Sequence, residues 1–332
     1  MRPKEVTELI RAIVNSQGMP ALHLWGPPGC GKSRICCQVA QEEKIGFIDT
    51  RLSMMDPSDI KGLPFPENDR AKWLAPHEFP RDGRGIWLLD EMNLAPPLVQ
   101  ASAYQLILDR RVGEYLVPDG WYMIAAGNKA EHGANVYKMA APLRNRFIHA
   151  DVEIHTDDWR EWAMKIGIAS EVIEFISFMP DKLYRFDPAR HDNAFPTPRT
   201  WEFVSRILKT DTLSQNLKEK LIQGTIGEGT AIEFKGYLRV RAEMPDLDEI
   251  LRGKNLIVKG GIDTSYALVT GLVVKARPEQ FERLLQYSDY LEPKEIAVLM
   301  IKLMLQKNKQ TVVQSPSWTK LAKEYYELLT FD

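Results

Sequence analysis

Between residues 22 and 33 an apolar run, Leu22-His23-Leu24-Trp25, meets a glycine-rich loop, and the stretch from Arg34 to Ala40 that follows reads as a helix. Gly26, Pro27, Pro28, Gly29, Cys30, Gly31, Lys32 and Ser33 fit the pattern G-x-x-x-x-G-K-[ST], a loop that cradles phosphates when it lies between a strand and a helix. Its glycines let the backbone turn tightly enough for successive N–H groups to face one phosphate, which a Cβ would obstruct. Lys32 supplies a point charge for the outer phosphates, and the Ser33 hydroxyl suits Mg²⁺. Arg34 opens a helix whose N-terminus adds partial positive charge to the same place. Strand, loop and helix in this order predict an α/β fold built on a parallel sheet and binding a nucleoside triphosphate. The plain alternative is a glycine-rich turn without a ligand. Cys30 is either a reactive thiol near a helix N-terminus or the filler of a variable loop position.

At 332 residues the chain exceeds one typical core, so two domains are expected. Hydrophobic residues make up 44% and charged residues 27%, values that exclude long disordered tracts and fibrous repeats. A formal net charge of -2 provides no overall basic surface for a nucleic-acid backbone, although a local basic patch stays open. No apolar run approaches the roughly 20 residues that span a bilayer. Met1 to Glu5 leads into an amphipathic pattern and not into an export signal. The three cysteines, Cys30, Cys36 and Cys37, all lie in the loop or its helix, which suits reduced thiols better than disulfides or zinc. The expectation is a cytoplasmic protein without a membrane span.

Downstream, Ile86-Trp87-Leu88-Leu89-Asp90-Glu91 is an apolar strand ending in two carboxylates. At the C-terminal edge of a parallel sheet, Asp90 is placed to hold Mg²⁺ and Glu91 to orient and deprotonate an attacking water. Between Ile45 to Asp49, a second short strand, and Ile86 lies a long segment whose residues 61–85 are rich in Pro and Gly and read as a loop. Within it Trp73, Leu74 and Phe79 either face a client or pin the loop to the core. Residues 112–117 and 121–126 flank Pro118-Asp119-Gly120 and read as a hairpin whose second arm enters the sheet. That arm runs into Gly127-Asn128, where Asn128 either bonds the γ-phosphate or attacking water or is an ordinary turn residue. Pro142-Leu143-Arg144-Asn145-Arg146-Phe147 places two arginines that belong either to a solvated face or to a neighbouring subunit's site as arginine fingers. Beyond residue 156 the spacing is helical, over 159–168, 170–178, 199–208, 213–226, 263–275, 279–287, 293–305 and 318–329. Thr197 and Pro198 mark a helix start, so Arg199 sits in a first turn, where the helix dipole disfavours a cation unless an anion is near.

Taken as a set, the phosphate loop, Asp56-Pro57-Ser58-Asp59-Ile60-Lys61-Gly62, Trp87-Leu88-Leu89-Asp90-Glu91-Met92-Asn93, Ala125-Ala126-Gly127-Asn128, the two arginines and Thr197-Pro198-Arg199 resemble the AAA+ ATPases. The resemblance is closer to the MoxR branch with its CbbQ/NirQ-type and dynein-related (AAA_5-like) relatives, and covers residues 5–205. It implies an AAA+ core over 1–155, an all-α lid over 156–260 and a C-terminal helical extension over 261–332. By the same resemblance Lys32 and Ser33 are Walker A, Asp90 and Glu91 Walker B, Asn128 sensor 1 and Arg199 sensor 2. Arg146, and after it Arg144, is the finger acting in trans. ATP with Mg²⁺ is the implied cofactor, a homo-hexameric ring the implied assembly, and a protein client the implied partner, such as a von Willebrand factor A-domain protein. Segment 53–80 and the hairpin at 112–124 would be insertions facing the pore or the client. Two other readings stand beside this one: a nucleic-acid motor of the restriction-subunit type, and a nucleotide-gated scaffold.

Overall fold

The computed structural model describes the chain apart from residues 17, 130–136, 191, 243, 245, 257–260 and 326–332. It divides into two compact units, Met1–His155 with Pro188–Arg190, and Thr156–Asp187 with His191–Asp332.

In the first unit, α1 (Pro3–Val14) precedes β1 (Ala21–Trp25), and the phosphate loop joins β1 to α2 (Lys32–Glu42). There follow β2 (Gly46–Arg51), α3 (Pro57–Lys61), β3 (Leu63–Glu67), β4 (Arg70–Leu74), β5 (Gly85–Asp90), α4 (Pro97–Asp109), β6 (Arg111–Val112), β7 (Tyr115–Leu116), β8 (Trp121–Gly127), α5 (Ala141–Arg144) and β9 (Phe147–Asp151). Five strands pair in parallel in the order β2-β5-β8-β1-β9. Side chains alternate across a strand, so β5 feeds two cores at once. Ile86 and Leu88 join Leu22, Leu24, Ile124 and the inner faces of α1 and α2. Trp87 and Leu89 join Met123, Ala125, Val99 and Leu106 on the other side. The apolar-run reading of residues 86–89 as a central strand is correct for this reason. Because all five strands run the same way, the ends of β1, β5 and β8 deliver Gly26, Glu91 and Asn128 to one edge.

Two expectations are corrected here. Residues 61–85 are not one loop, since β3 and β4 form an antiparallel hairpin with Glu67 opposite Arg70. Asn68 and Asp69 take φ of 47° and 57° at its turn, a left-handed pair that matches the twist of a tight hairpin. Pro64 and Pro66 hide it from a sequence reading; two residues apart, they leave their missing N–H groups on one side of the strand. The expected hairpin of 112–117 with 121–126 is replaced by a two-residue ladder, Arg111–Val112 with Tyr115–Leu116. Residues 121–127 are taken instead by parallel partners, β5 and β1, on both sides.

The second unit is helical: α6 (Thr156–Ile166), α7 (Ser170–Phe178), α8 (Pro198–Lys209), α9 (Gln215–Ile226), α10 (Glu228–Ala242), α11 (Leu247–Leu251), α12 (Ile262–Lys275), α13 (Phe281–Tyr287), α14 (Lys294–Gln314) and α15 (Trp318–Glu324). α12 packs on both α7 and α14, so helices on either side of residue 260, separated in the sequence reading, share one unit. α10 and α11 are absent from that reading; Gly229 and Gly236 dilute the helical signal of α10 by about 1 kcal/mol each against Ala. Inside this unit Glu174 of α7 is buried and bonded by Arg241 Nε at 2.5 Å and Tyr237 Oη at 3.2 Å, both from α10. No described helix is long and apolar enough to cross a membrane.

Candidate active site

The loop's backbone is the first constraint. Gly29 and Gly31 take φ of 75° and 100°, a region that penalises any Cβ, and Gly31 is the residue from which α2 starts. A Cβ on Gly26 would lie 2.9 Å from the Val152 carbonyl oxygen and 3.0 Å from Cys30 Sγ. Cys30 is buried and its thiol is pushed up by that burial, which favours the filler reading over the reactive one.

The side chains converge at the same edge. Lys32 is buried, and its ammonium donates to the Gly26 carbonyl at 2.8 Å, to the Pro27 carbonyl at 3.2 Å and to Asn128 Oδ1 at 2.9 Å. Ser33 Oγ donates to Asp90 Oδ2 at 2.6 Å, while Asp90 Oδ1 accepts from the Glu91 N–H at 2.8 Å. Glu91 has φ of 58°, an uncommon conformation for a residue with a side chain and one met more often at functional sites than elsewhere. Lys32, Ser33, Asp90 and Asn128 are therefore hydrogen-bonded in pairs, with Glu91 next in chain. Asn128 bonds Lys32 directly, which goes beyond the turn-residue alternative.

Two residues that the sequence did not single out complete the arrangement. Ser53 lies in the short turn Leu52–Met54 that follows β2, and its hydroxyl donates to Glu91 Oε2. β2 pairs with β5 so that Arg51 lies opposite Asp90, which brings the residues after both strands to the same edge, a register that no local sequence pattern shows. Asn93 clamps the backbone of Asn128, accepting its N–H at Oδ1 over 3.2 Å and donating from Nδ2 to its carbonyl. A Cβ on Gly127 would come within 2.4 Å of Asn93 Oδ1, so a glycine is needed for the clamp to close.

The electrostatics favour a cation near Asp90. Asp49 on β2 has its carboxyl pushed up, first by burial and then by the charge of Asp90, with Glu91 adding to it and Arg51 opposing it. The oxygens of Ser33 and Asp90, side by side, form a sparse hard-donor set that suits Mg²⁺, an ion that keeps several waters and takes few protein ligands. His23, on the strand that leads into the loop, is fully buried, and among the described residues neither of its ring nitrogens has a hydrogen-bond partner. It stacks on Trp25 at 4.0 Å, and burial, His149 and Lys32 together push its pKa down to about 3.

Arg34 is exposed on α2, and Arg144 and Arg146 are exposed at and just beyond the end of α5; none of the three has a hydrogen bond to the group around Lys32. Arg199 is the second residue of α8 in the second unit, where Thr197 caps the helix by accepting the Thr200 N–H at 3.1 Å. The segment before Pro142 falls partly outside the described residues. Phe79 is buried 4.7 Å from Trp87 and pins its segment, whereas Leu74 is exposed and Trp73 partly so.

No protein-family model matches the chain, and no protein of curated function matches it. Among solved structures, NtrX from Brucella abortus in complex with ADP is 13% identical with a TM-score of 0.40, over 98% of this chain and 68% of that one. The Thermotoga maritima RuvB Holliday junction branch migration motor is 17% identical with a TM-score of 0.39, over 78% and 76%. These are distant likenesses, and the α/β phosphate-loop fold stands on the chain's own sheet order and loop, with a helical region following it.

Proposed function

We propose that this chain is an ATP hydrolase that works with Mg²⁺ in a ring of identical subunits, and that it remodels or activates a protein partner as MoxR-like activators do.

 The observation that carries the catalytic part is the pairing of Ser33 with Asp90 and of Lys32 with Asn128 at one sheet edge, with Glu91 beside them. In this reading the loop backbone and Lys32 bind the phosphates, and Ser33 and Asp90 hold the metal, which neutralises charge on the β- and γ-phosphates. Glu91 takes the proton of the attacking water, and Asn128 orients that water or the γ-phosphate. Arg146, with Arg144 second to it, meets the charge that develops on the phosphoryl group of a neighbouring subunit, and Arg199 meets it from the helical region. The motif resemblance supports the protein partner, with an A-domain protein as the first candidate to mix with the purified chain.

Glu91→Gln is expected to keep ATP affinity and lose on the order of 10²–10⁴ in turnover, the usual contribution of a positioned general base. Arg146→Ala is expected to keep ATP affinity and lose roughly 10³ in turnover. Titration with a fluorescent ATP analogue beside a phosphate-release assay separates the two quantities. Wild-type turnover in either variant removes that residue from the mechanism.

A further inference from the structure

We infer that His149 is a positioning residue for the arginine-bearing turn, holding it to the strand that feeds the phosphate loop; this rests on the reading of Arg146 as a cation acting in trans. Trp25 is the last residue of β1 and directly precedes Gly26. Its indole Nε1 donates to His149 Nδ1 at 2.8 Å, and His149 Nε2 lies 2.8 Å from the Arg144 carbonyl oxygen. An indole N–H only donates and a carbonyl only accepts, so these two partners fix one tautomer, with the proton on Nε2 and a lone pair on Nδ1. The link therefore has a direction: Trp25 to His149 to Arg144.

Where it ends matters. Arg144 is the last residue of α5, a helix of four residues, and the closing carbonyls of a helix have no partner within it. The two residues after that carbonyl are Asn145 and Arg146, whose N–H groups turn back to the Ala141 and Leu143 carbonyls at 3.1 Å each. Leu143 and Phe147 are buried on either side, so the turn is anchored at both flanks while the Arg144 and Arg146 side chains face outward. Burial of the flanks fixes where the turn sits. The His149 bond fixes the orientation of the Arg144–Asn145 peptide plane, one residue before Arg146. His149 is itself exposed, so core packing does not explain a histidine there. A phenylalanine would stack on Trp25 equally well but could neither accept from Nε1 nor donate to Arg144.

His149→Phe tests this. Turnover is expected to fall on the order of tenfold, the effect of roughly one hydrogen bond, with ATP affinity held within about twofold. His149→Gln, whose amide both accepts and donates, is expected to restore most of the loss. Mixing supplies the readout that a general structural role would not move. A His149→Phe subunit keeps its own nucleotide site, and a Glu91→Gln subunit keeps its arginine turn. Their mixture is therefore expected to exceed the summed turnover of the two alone, as a mixture of Arg146→Ala with Glu91→Gln also should. Trp25→Phe, which removes the indole donor and keeps an aromatic ring, is expected to follow His149→Phe in weaker form and serves if that variant does not fold. Wild-type turnover in His149→Phe, or in Trp25→Phe where it stands in, overturns the inference. So does a low-activity His149→Phe that is not rescued while the Arg146→Ala mixture is, because His149 would then act within its own subunit. Failure of the Arg146→Ala mixture instead overturns the trans reading of Arg146, and this inference falls with it.

Discussion

The residues of the candidate site differ in how much each could reveal before folding. Lys32, Ser33, Asp90 and Glu91 stand out by local spacing alone, and the structure joins Ser33 to Asp90 across 57 residues. Ser53, Asn93 and His149 act through partners brought in from other strands, and no local pattern encodes a clamp between residues 35 apart, as between Asn93 and Asn128. His23 is the sharpest case. It stands in an apolar run that gives no hint of its state: it is fully buried, its ring nitrogens have no hydrogen-bond partner among the described residues, and its pKa is pushed down to about 3, chiefly by burial. The unfolded chain takes up this proton near pH 6.5, while the folded protein refuses it until about pH 3. The contribution is thus intact above pH 6.5 and lost as pH falls through that window, by about 1.4 kcal/mol for each pH unit. Denaturant unfolding followed at pH 6.5 and 5.0 should show wild type losing roughly 2 kcal/mol more than His23→Leu. Equal losses would mean that His23 is solvated or paired in the folded protein.

Among the elements, those of the parallel sheet were legible because each is apolar, short and followed by a turn, while the misread ones owe their form to what they pair with. The Pro-rich β3–β4 hairpin breaks the usual composition of a strand, and β8 was assigned to the wrong partner because its sequence neighbour, β7, lies nearer in the chain than β5 or β1. The helical unit shows the same limit, since α10 is defined less by its own weak periodicity than by what it offers α7. Glu174 of α7 has its carboxyl pushed up by burial, with Arg241 and Tyr237 of α10 opposing that shift as Arg241 donates to it from Nε at 2.5 Å. Removing the cation leaves a buried carboxylate unpaired, so Arg241→Ala should destabilise the protein by about 3 kcal/mol, the lower end for a broken buried pair. The double variant Arg241→Ala, Glu174→Gln should recover part of it, because no charge then stays buried. A urea series on the three proteins measures both effects. A single variant within about 0.5 kcal/mol of wild type would show that water reaches Glu174.

At the scale of the whole molecule, the cations decide how many chains a complete site requires. Lys32 is engaged inside the loop, whereas Arg144 and Arg146 are exposed at and beyond α5 and contribute no hydrogen bond to the group around Lys32 in their own chain. A phosphoryl-transfer site that lacks an arginine at the developing charge turns over slowly, by a factor of roughly 10³–10⁵. If the missing charge comes from a second copy, assembly and catalysis are one equilibrium, and turnover per subunit must climb with protein concentration until assembly saturates. Steady-state phosphate release across a concentration series, with mass in solution measured at each point with and without nucleotide, reads both sides of that equilibrium. The expected result is a rise in turnover that tracks the assembled fraction in wild type and a low, flat line in Arg146→Ala. Full turnover from a monomer would instead place the cation within one chain, leaving Arg199 of the helical unit as the residue to substitute next.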